Sequence, residues 1–211
     1  MFIEVLTIFS VLIPLVVIIP SIAYPKKVGR SFMGAALFIL SLNSLAFDSF
    51  SYLCHIYSWN NSMLNEFYSL FAILLVLLIL KILNGRKRIL LNLIRLSFVL
   101  LAFLTYIVFT DRNLFPIIYI TFSIFVFFEC IILYNDFLNG HISESIIRKP
   151  EFWVVSGLFV FYGFSIFVSL FEKYIIEGNL ELYMAIWPIQ LIANIIQFAL
   201  LSIAQCQIIK K

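Results

Sequence analysis

The chain has 211 residues, of which 64% are hydrophobic and 12% charged, with a formal net charge of +3. Those numbers leave no stretch of the roughly 100 residues that a kinase, nucleotidase or extracytoplasmic binding module needs. The excess charge is small and scattered, so it points away from nucleic acid and toward membrane sidedness.

A hydrocarbon core about 30 Å thick takes roughly 20 apolar residues of helix. Seven stretches reach that length, at about 2–23, 32–57, 63–83, 89–109, 114–137, 152–172 and 182–206. The expected fold is therefore all-α, a single integral membrane domain over 1–211, built as a seven-helix transmembrane bundle. The first stretch has no basic residue before its apolar run and has Lys26-Lys27 after it. A secretory signal has the reverse order, so a retained helix is expected, kinked or broken at Pro14 and Pro20.

Sidedness follows from the basic residues. With the amino terminus outside, the inner connections hold Lys26, Lys27, Arg30, Lys81, Arg86, Lys87, Arg88, Arg95, Arg148, Lys149, Lys210 and Lys211. The outer side keeps only Arg112 and Lys173. This positive-inside bias predicts the carboxyl end in the cytoplasm, which an odd number of spans requires. Turn residues mark the connections: Pro25, Asn84-Gly85, Asp111-Arg112-Asn113, Asn139-Gly140, Pro150 and Glu177-Gly178-Asn179. Tyr57, Trp59, Tyr68, Tyr106, Tyr174 and Tyr183 fall near the outer ends, as an interfacial aromatic belt would. Glycine is scarce and no GxxxG occurs. Close small-residue crossings are thus not the main packing device, and bulky Phe, Ile and Leu must fill the interior.

Polar groups within the stretches are the candidate functional residues, because such groups usually face the bundle interior or water. In the second stretch Asp48, Tyr52 and His55 share one face, four and seven residues apart. Glu66 opens the third stretch beside them. They suggest an outward-opening polar pocket; the plainer reading is a wet helix end. In the seventh stretch Trp187, Gln190, Asn194 and Gln197 form one stripe. It reads as a ligand-facing wall or as inter-helix hydrogen-bonding glue. Glu129 lies alone in the fifth stretch, in the inner half, where Arg95 on the neighbouring stretch is a partner at the right depth.

No catalytic constellation emerges. There is no HExxH, nucleophile elbow or glycine-rich phosphate loop. Cys54, Cys130 and Cys206 follow no metal spacing and read as small packing residues. No metal or cofactor is expected, and a non-enzymatic role is. The composition looks bacterial, so the Asn60-Asn61-Ser62 glycosylation pattern is discounted, and the bacterial cytoplasmic (inner) membrane is the expected location.

The sixth stretch opens Pro150-Glu151-Phe152-Trp153 and continues through Ser156-Gly157 to Tyr162; the seventh carries Trp187 and Asn194. This resembles small bacterial seven-helix membrane proteins, and the membrane input regions of two-component sensor kinases, where a phrase FW-x-x-SG-x-x-x-x-Y recurs. The likeness covers about residues 150–200 and is only topological before that. It implies signalling or accessory work beside a kinase. The expected function is a sensory or accessory module that detects a small or lipophilic ligand, or membrane state. It would pass a helix displacement to a membrane or cytoplasmic partner, for which the resemblance implies a histidine kinase. A small proton- or cation-coupled transporter using Asp48, Glu66 or Glu129 is the alternative, and a lipid-modifying membrane enzyme the third. The lipid bilayer is the one certain partner class; self-association is left open.

Overall fold

The computed structural model describes residues 2–57, 59, 62–84, 89–108, 114–140, 146–176 and 180–210, and the side chains of 3–54, 56–57, 59, 68–84, 91–100, 117–139, 146–170 and 186–210. The described residues form an all-α bundle without strands: α1 (Phe2–Leu12), α2 (Leu15–Ala23), α3 (Pro25–Arg30), α4 (Phe32–Ile56), α5 (Ser62–Asn84), α6 (Ile89–Val108), α7 (Leu114–Gly140), a 3-10 turn (Ile146–Arg148), α8 (Pro150–Ile176) and α9 (Leu180–Lys210). Among the described residues five segments are long and apolar enough to cross a membrane: Ile3–Ala23, Phe32–Cys54, Ile117–Asn139, Pro150–Leu170 and Ile186–Lys210. Tyr68–Asn84 and Leu91–Leu100 are shorter apolar segments. Their parent helices, α5 with 23 residues and α6 with 20, each rise about 30 Å or more.

The two prolines of the first stretch behave differently. The helix breaks between Leu12 and Leu15, at Pro14, whereas Pro20 is carried inside α2. Pro14 has no N–H for the carbonyl four residues back, which is Ser10. Pro25 does not simply end the stretch: it starts the short helix α3, where its missing N–H costs nothing. Ser31 then accepts the Gly34 N–H at 3.1 Å and begins α4.

The side-chain contacts fix the relative directions. Ser165–Gln190 and Ile147–Gln207 run in opposite sequence order, so α8 and α9 are antiparallel. Phe127–Phe159 and Tyr134–Ser156 make α7 and α8 antiparallel as well. The first stretch instead runs parallel to α9: Asn194 meets Ser10, Gln205 meets Ser21 and Lys27 meets Ile209. α8 and α9 pack along much of their length, α7 flanks α8, α4 packs on α5, and α6 packs on α5 and α7. The buried core runs through these helices, with Leu37, Ile79, Leu80, Phe122, Leu158 and Leu201 fully enclosed.

Lys27 donates to the Ile209 carbonyl at 2.7 Å and Gln207 to the Ile147 carbonyl at 2.9 Å. These two contacts bring α3, the 3-10 turn and the end of α9 together at one end of the bundle. Lys26, Lys27, Arg30, Arg148, Lys149 and Lys210 come with them.

Candidate functional site

Arg95 and Glu129 form an ion pair in the interior, at 4% and 1% exposure. The Arg95 Nη2 donates to Glu129 Oε1 and, at 3.2 Å, to the Leu80 carbonyl. Its Nη1 donates to Asn92 Oδ1 at 2.8 Å, and its Nε approaches Glu129 Oε2 at 3.4 Å. Asn84 Nδ2 adds a further donor to Glu129 Oε1. One carboxylate thus gathers donors from α5 and α6, and one guanidinium ties α6 to both α5 and α7. Desolvating two charges is expensive and is offset only by close pairing plus extra hydrogen bonds, which this arrangement supplies. Asn84 Oδ1 is buried and has no partner. Asn84 is also the last residue of α5, so the pair lies level with the end of that helix, while on α7 Glu129 sits midway along the Ile117–Asn139 segment.

A second polar group lies between α4 and α5. Ser44 Oγ donates to Asp48 Oδ2 at 2.7 Å. Tyr68 is hydrogen-bonded with Ser44, sits beside Asp48 and stacks on Phe47 at 5.2 Å. Tyr119 and Tyr68 lie within electrostatic reach of buried Tyr162. The sequence puts Tyr68 near an outer helix end, both in an interfacial belt and beside the polar face of the second stretch; its hydrogen bond to Ser44 turns it inward, toward that face. Tyr52 is half-buried on the same helix. The side chains of His55 and Glu66, the other pocket candidates, lie outside the described residues.

The α9 stripe is engaged with its neighbours. Gln190 Nε2 donates to Ser165 Oγ at 2.9 Å, and its Oε1 is buried without a partner. Asn194 Nδ2 donates to Ser10 Oγ at 2.9 Å and to the Ser10 carbonyl at 3.3 Å. Gln197 is buried, while Trp187 is exposed. About two turns beyond the stripe, Gln205 extends the same pattern: it is fully buried and donates to Ser21 Oγ at 2.8 Å. The sequence signal for it was present, an amide in the same apolar run.

The phrase in α8 is used for packing. Phe152 meets Tyr134 edge to face, Trp153 Nε1 donates to the Ile147 carbonyl at 2.7 Å, and Ser156 Oγ receives the Tyr134 hydroxyl at 2.6 Å. Gly157 lies against the α9 backbone, and Tyr162 meets Phe122 edge to face.

Neither polar group opens into the groove of about 550 Å³ between α7, α8 and α9. That groove is apolar, lined by Phe127, Phe159, Val160, Gly163, Phe164, Phe167 and Ile189. Among the described residues no three His, Cys, Asp or Glu side chains come together as a metal site. Cys54 and Cys130 are buried and Cys206 is exposed, so the packing role expected of all three does not extend to Cys206.

No family model matches this chain, and no curated protein or solved structure matches it either.

Proposed function

We propose that the chain is a seven-span, non-enzymatic sensory or accessory module of a bacterial cytoplasmic membrane, with its amino terminus outside and its carboxyl terminus in the cytoplasm. It responds to a lipophilic ligand or to membrane state and passes a helix displacement to a partner, a membrane histidine kinase in the sense of the α8 resemblance. The observation that carries this reading is the Arg95–Glu129 pair. The deepest charges among the described residues are spent on docking one helix to two others, and a docked helix has two discrete positions to signal with. The parallel course of the first stretch and α9 supports an odd number of spans. The basic residues gathered at the α9 end support the orientation.

The transporter is the second reading, favoured by one observation: Asp48, Ser44 and Tyr68 form a continuous polar group deep in the bundle. Purified protein in liposomes carrying a pH-sensitive dye separates the two. The sensory reading expects no proton flux under a pH gradient. A flux that disappears in Asp48→Asn or Glu129→Gln would overturn it in favour of the transporter.

A further inference from the structure

α6 is bound differently from every other long helix. Over residues 91–100 its only buried side chain is Arg95. Leu93, Leu96 and Leu100 turn outward at 58%, 55% and 53% exposure. Leu91, Asn92 and Ile94 are half-buried, as are Phe98, which meets Phe122 and Phe125, and Val99, the two that pack against the core. In lipid such apolar packing holds a helix weakly, because hydrocarbon chains solvate the same surface nearly as well. The polar contacts decide where α6 sits, and all of those described converge on one guanidinium: Glu129 on α7, the Leu80 carbonyl on α5 and Asn92 on α6 itself.

We propose that α6 is a detachable helix, latched into the bundle by the Arg95–Glu129 ion pair and freed when that pair is broken. The released state is within reach because Arg95 lies near an end of its helix and Glu129 has a second donor. Arg95 is six residues from the start of α6 at Ile89, about 9 Å along the axis, and its long side chain can reach an interface that close. Glu129 sits level with Asn84, the last residue of α5, and it keeps the Asn84 amide as a donor when Arg95 leaves. Outward movement of α6 therefore carries Arg95 toward the interface and leaves Glu129, midway along the Ile117–Asn139 segment, with the Asn84 amide as its donor. Whatever neutralises Glu129 or draws Arg95 away opens the latch. This names the moving part of the proposed sensory module, and it rests on that reading only for its purpose. The test below reads helix docking and not signalling, so either can fail alone.

Spin labels on Leu96→Cys and on exposed native Cys206, with buried Cys54 and Cys130 replaced by alanine, report the position of α6 against α9 in lipid nanodiscs. A second label pair, Leu42→Cys on α4 with Cys206, reports the rest of the bundle. The parent should give one narrow distance for each pair. Glu129→Gln and Arg95→Gln should each add a second, longer population to the α6 pair and leave the α4 pair narrow. Arg95→Lys, which keeps the charge, should retain the narrow α6 distance. An unchanged α6 distance in both neutralised variants overturns the latch. So does release by Arg95→Lys as complete as by Glu129→Gln, since charge is then not what holds the helix. Broadening of both label pairs together also overturns it, because the ion pair would then belong to the whole fold.

Discussion

Asn194 of α9 donates its side-chain amide to the Ser10 carbonyl, the one that Pro14 leaves without its helical N–H. The break in the first stretch and the amide in the last are thus two halves of one device. A freed carbonyl in hydrocarbon must find another donor, and Asn194 supplies it while also bonding Ser10 Oγ at 2.9 Å. Asn194→Leu should destabilise the bundle by about 1–3 kcal/mol, the cost of an unsatisfied buried polar group. In a Pro14→Ala background the Ser10 carbonyl regains a helical donor, and the same Asn194→Leu change should cost less than half as much. Unfolding in mixed micelles measures both. Equal costs in the two backgrounds would mean that the amide serves Ser10 Oγ alone.

Gly157 presses on the backbone of α9. A Cβ added there would meet the Gln197 carbonyl oxygen at 3.1 Å and the Leu201 side chain at 3.4 Å. The first neighbour is helix backbone, which yields little. Gly157→Ala should therefore destabilise, and Gly157→Leu more strongly, by about 1–3 kcal/mol as overpacking of a filled interior does. The same substitution at Gly29, where a Cβ meets nothing within 4 Å, should be close to neutral on packing grounds. If Gly157→Leu leaves the unfolding midpoint unchanged, α8 and α9 are less closely packed than these distances require.

The all-α character and the long apolar helices were legible in the sequence because span length is set by the bilayer, not by neighbours; of the seven stretches read there, five are long and apolar enough to cross among the described residues. The lone acid was legible for the same reason: Glu129 in an apolar run needs a partner, and Arg95 was the base at the right depth. The rest of that site was not. Asn84 read as a turn residue, Asn92 drew no reading at all, and the Leu80 carbonyl carries no signal in a side-chain alphabet. Direction, likewise, was readable for Gln190 and Asn194, since a polar stripe must turn inward. Their serine partners were not, because Ser10 and Ser165 are ordinary helix residues until a facing amide selects them. The phrase in α8 stood out as a string, but periodicity could not say that Trp153 pins the 3-10 turn or that Gly157 admits a backbone. Tyr68 carried two readings, since proximity to a helix end suits a belt residue and an inward-turned phenol equally, and its contacts with Ser44 and Asp48 match the second.

Lys27 caps α9 from a different helix, its ammonium donating to the Ile209 carbonyl at 2.7 Å. The last carbonyls of a helix have no internal donors and carry partial negative charge, so a cation there stabilises them. Lys27→Met keeps the aliphatic stem and removes the charge. It should cost about 0.3–1 kcal/mol, felt mainly as faster hydrogen exchange in the last turn of α9, with exchange near Asn194 unchanged. Uniformly faster exchange along α9 would show that Lys27 supports the whole helix and not its end.

The Arg95–Glu129 contact should stand apart in energy from every other polar contact between helices. Inter-helix hydrogen bonds in membranes average about 0.6 kcal/mol, and Gln190 with Ser165 should fall there. That bond leaves Gln190 Oε1 buried without a partner, so Gln190→Leu removes an orphaned acceptor along with a donor and should be nearly neutral. Removing one member of a buried ion pair instead leaves a charge without its counterion, which costs about 3–5 kcal/mol. Arg95→Gln and Glu129→Gln should each approach that loss, whereas the double variant, in which neither charge is left alone, should lose far less than their sum. A double-mutant cycle built on the unfolding free energies isolates the coupling, which should be several times that of Gln190 with Ser165. Additive losses from Arg95→Gln and Glu129→Gln would mean that each side chain is held by its other partners, Leu80 and Asn92 for the guanidinium and Asn84 for the carboxylate, and that the pairing itself contributes little.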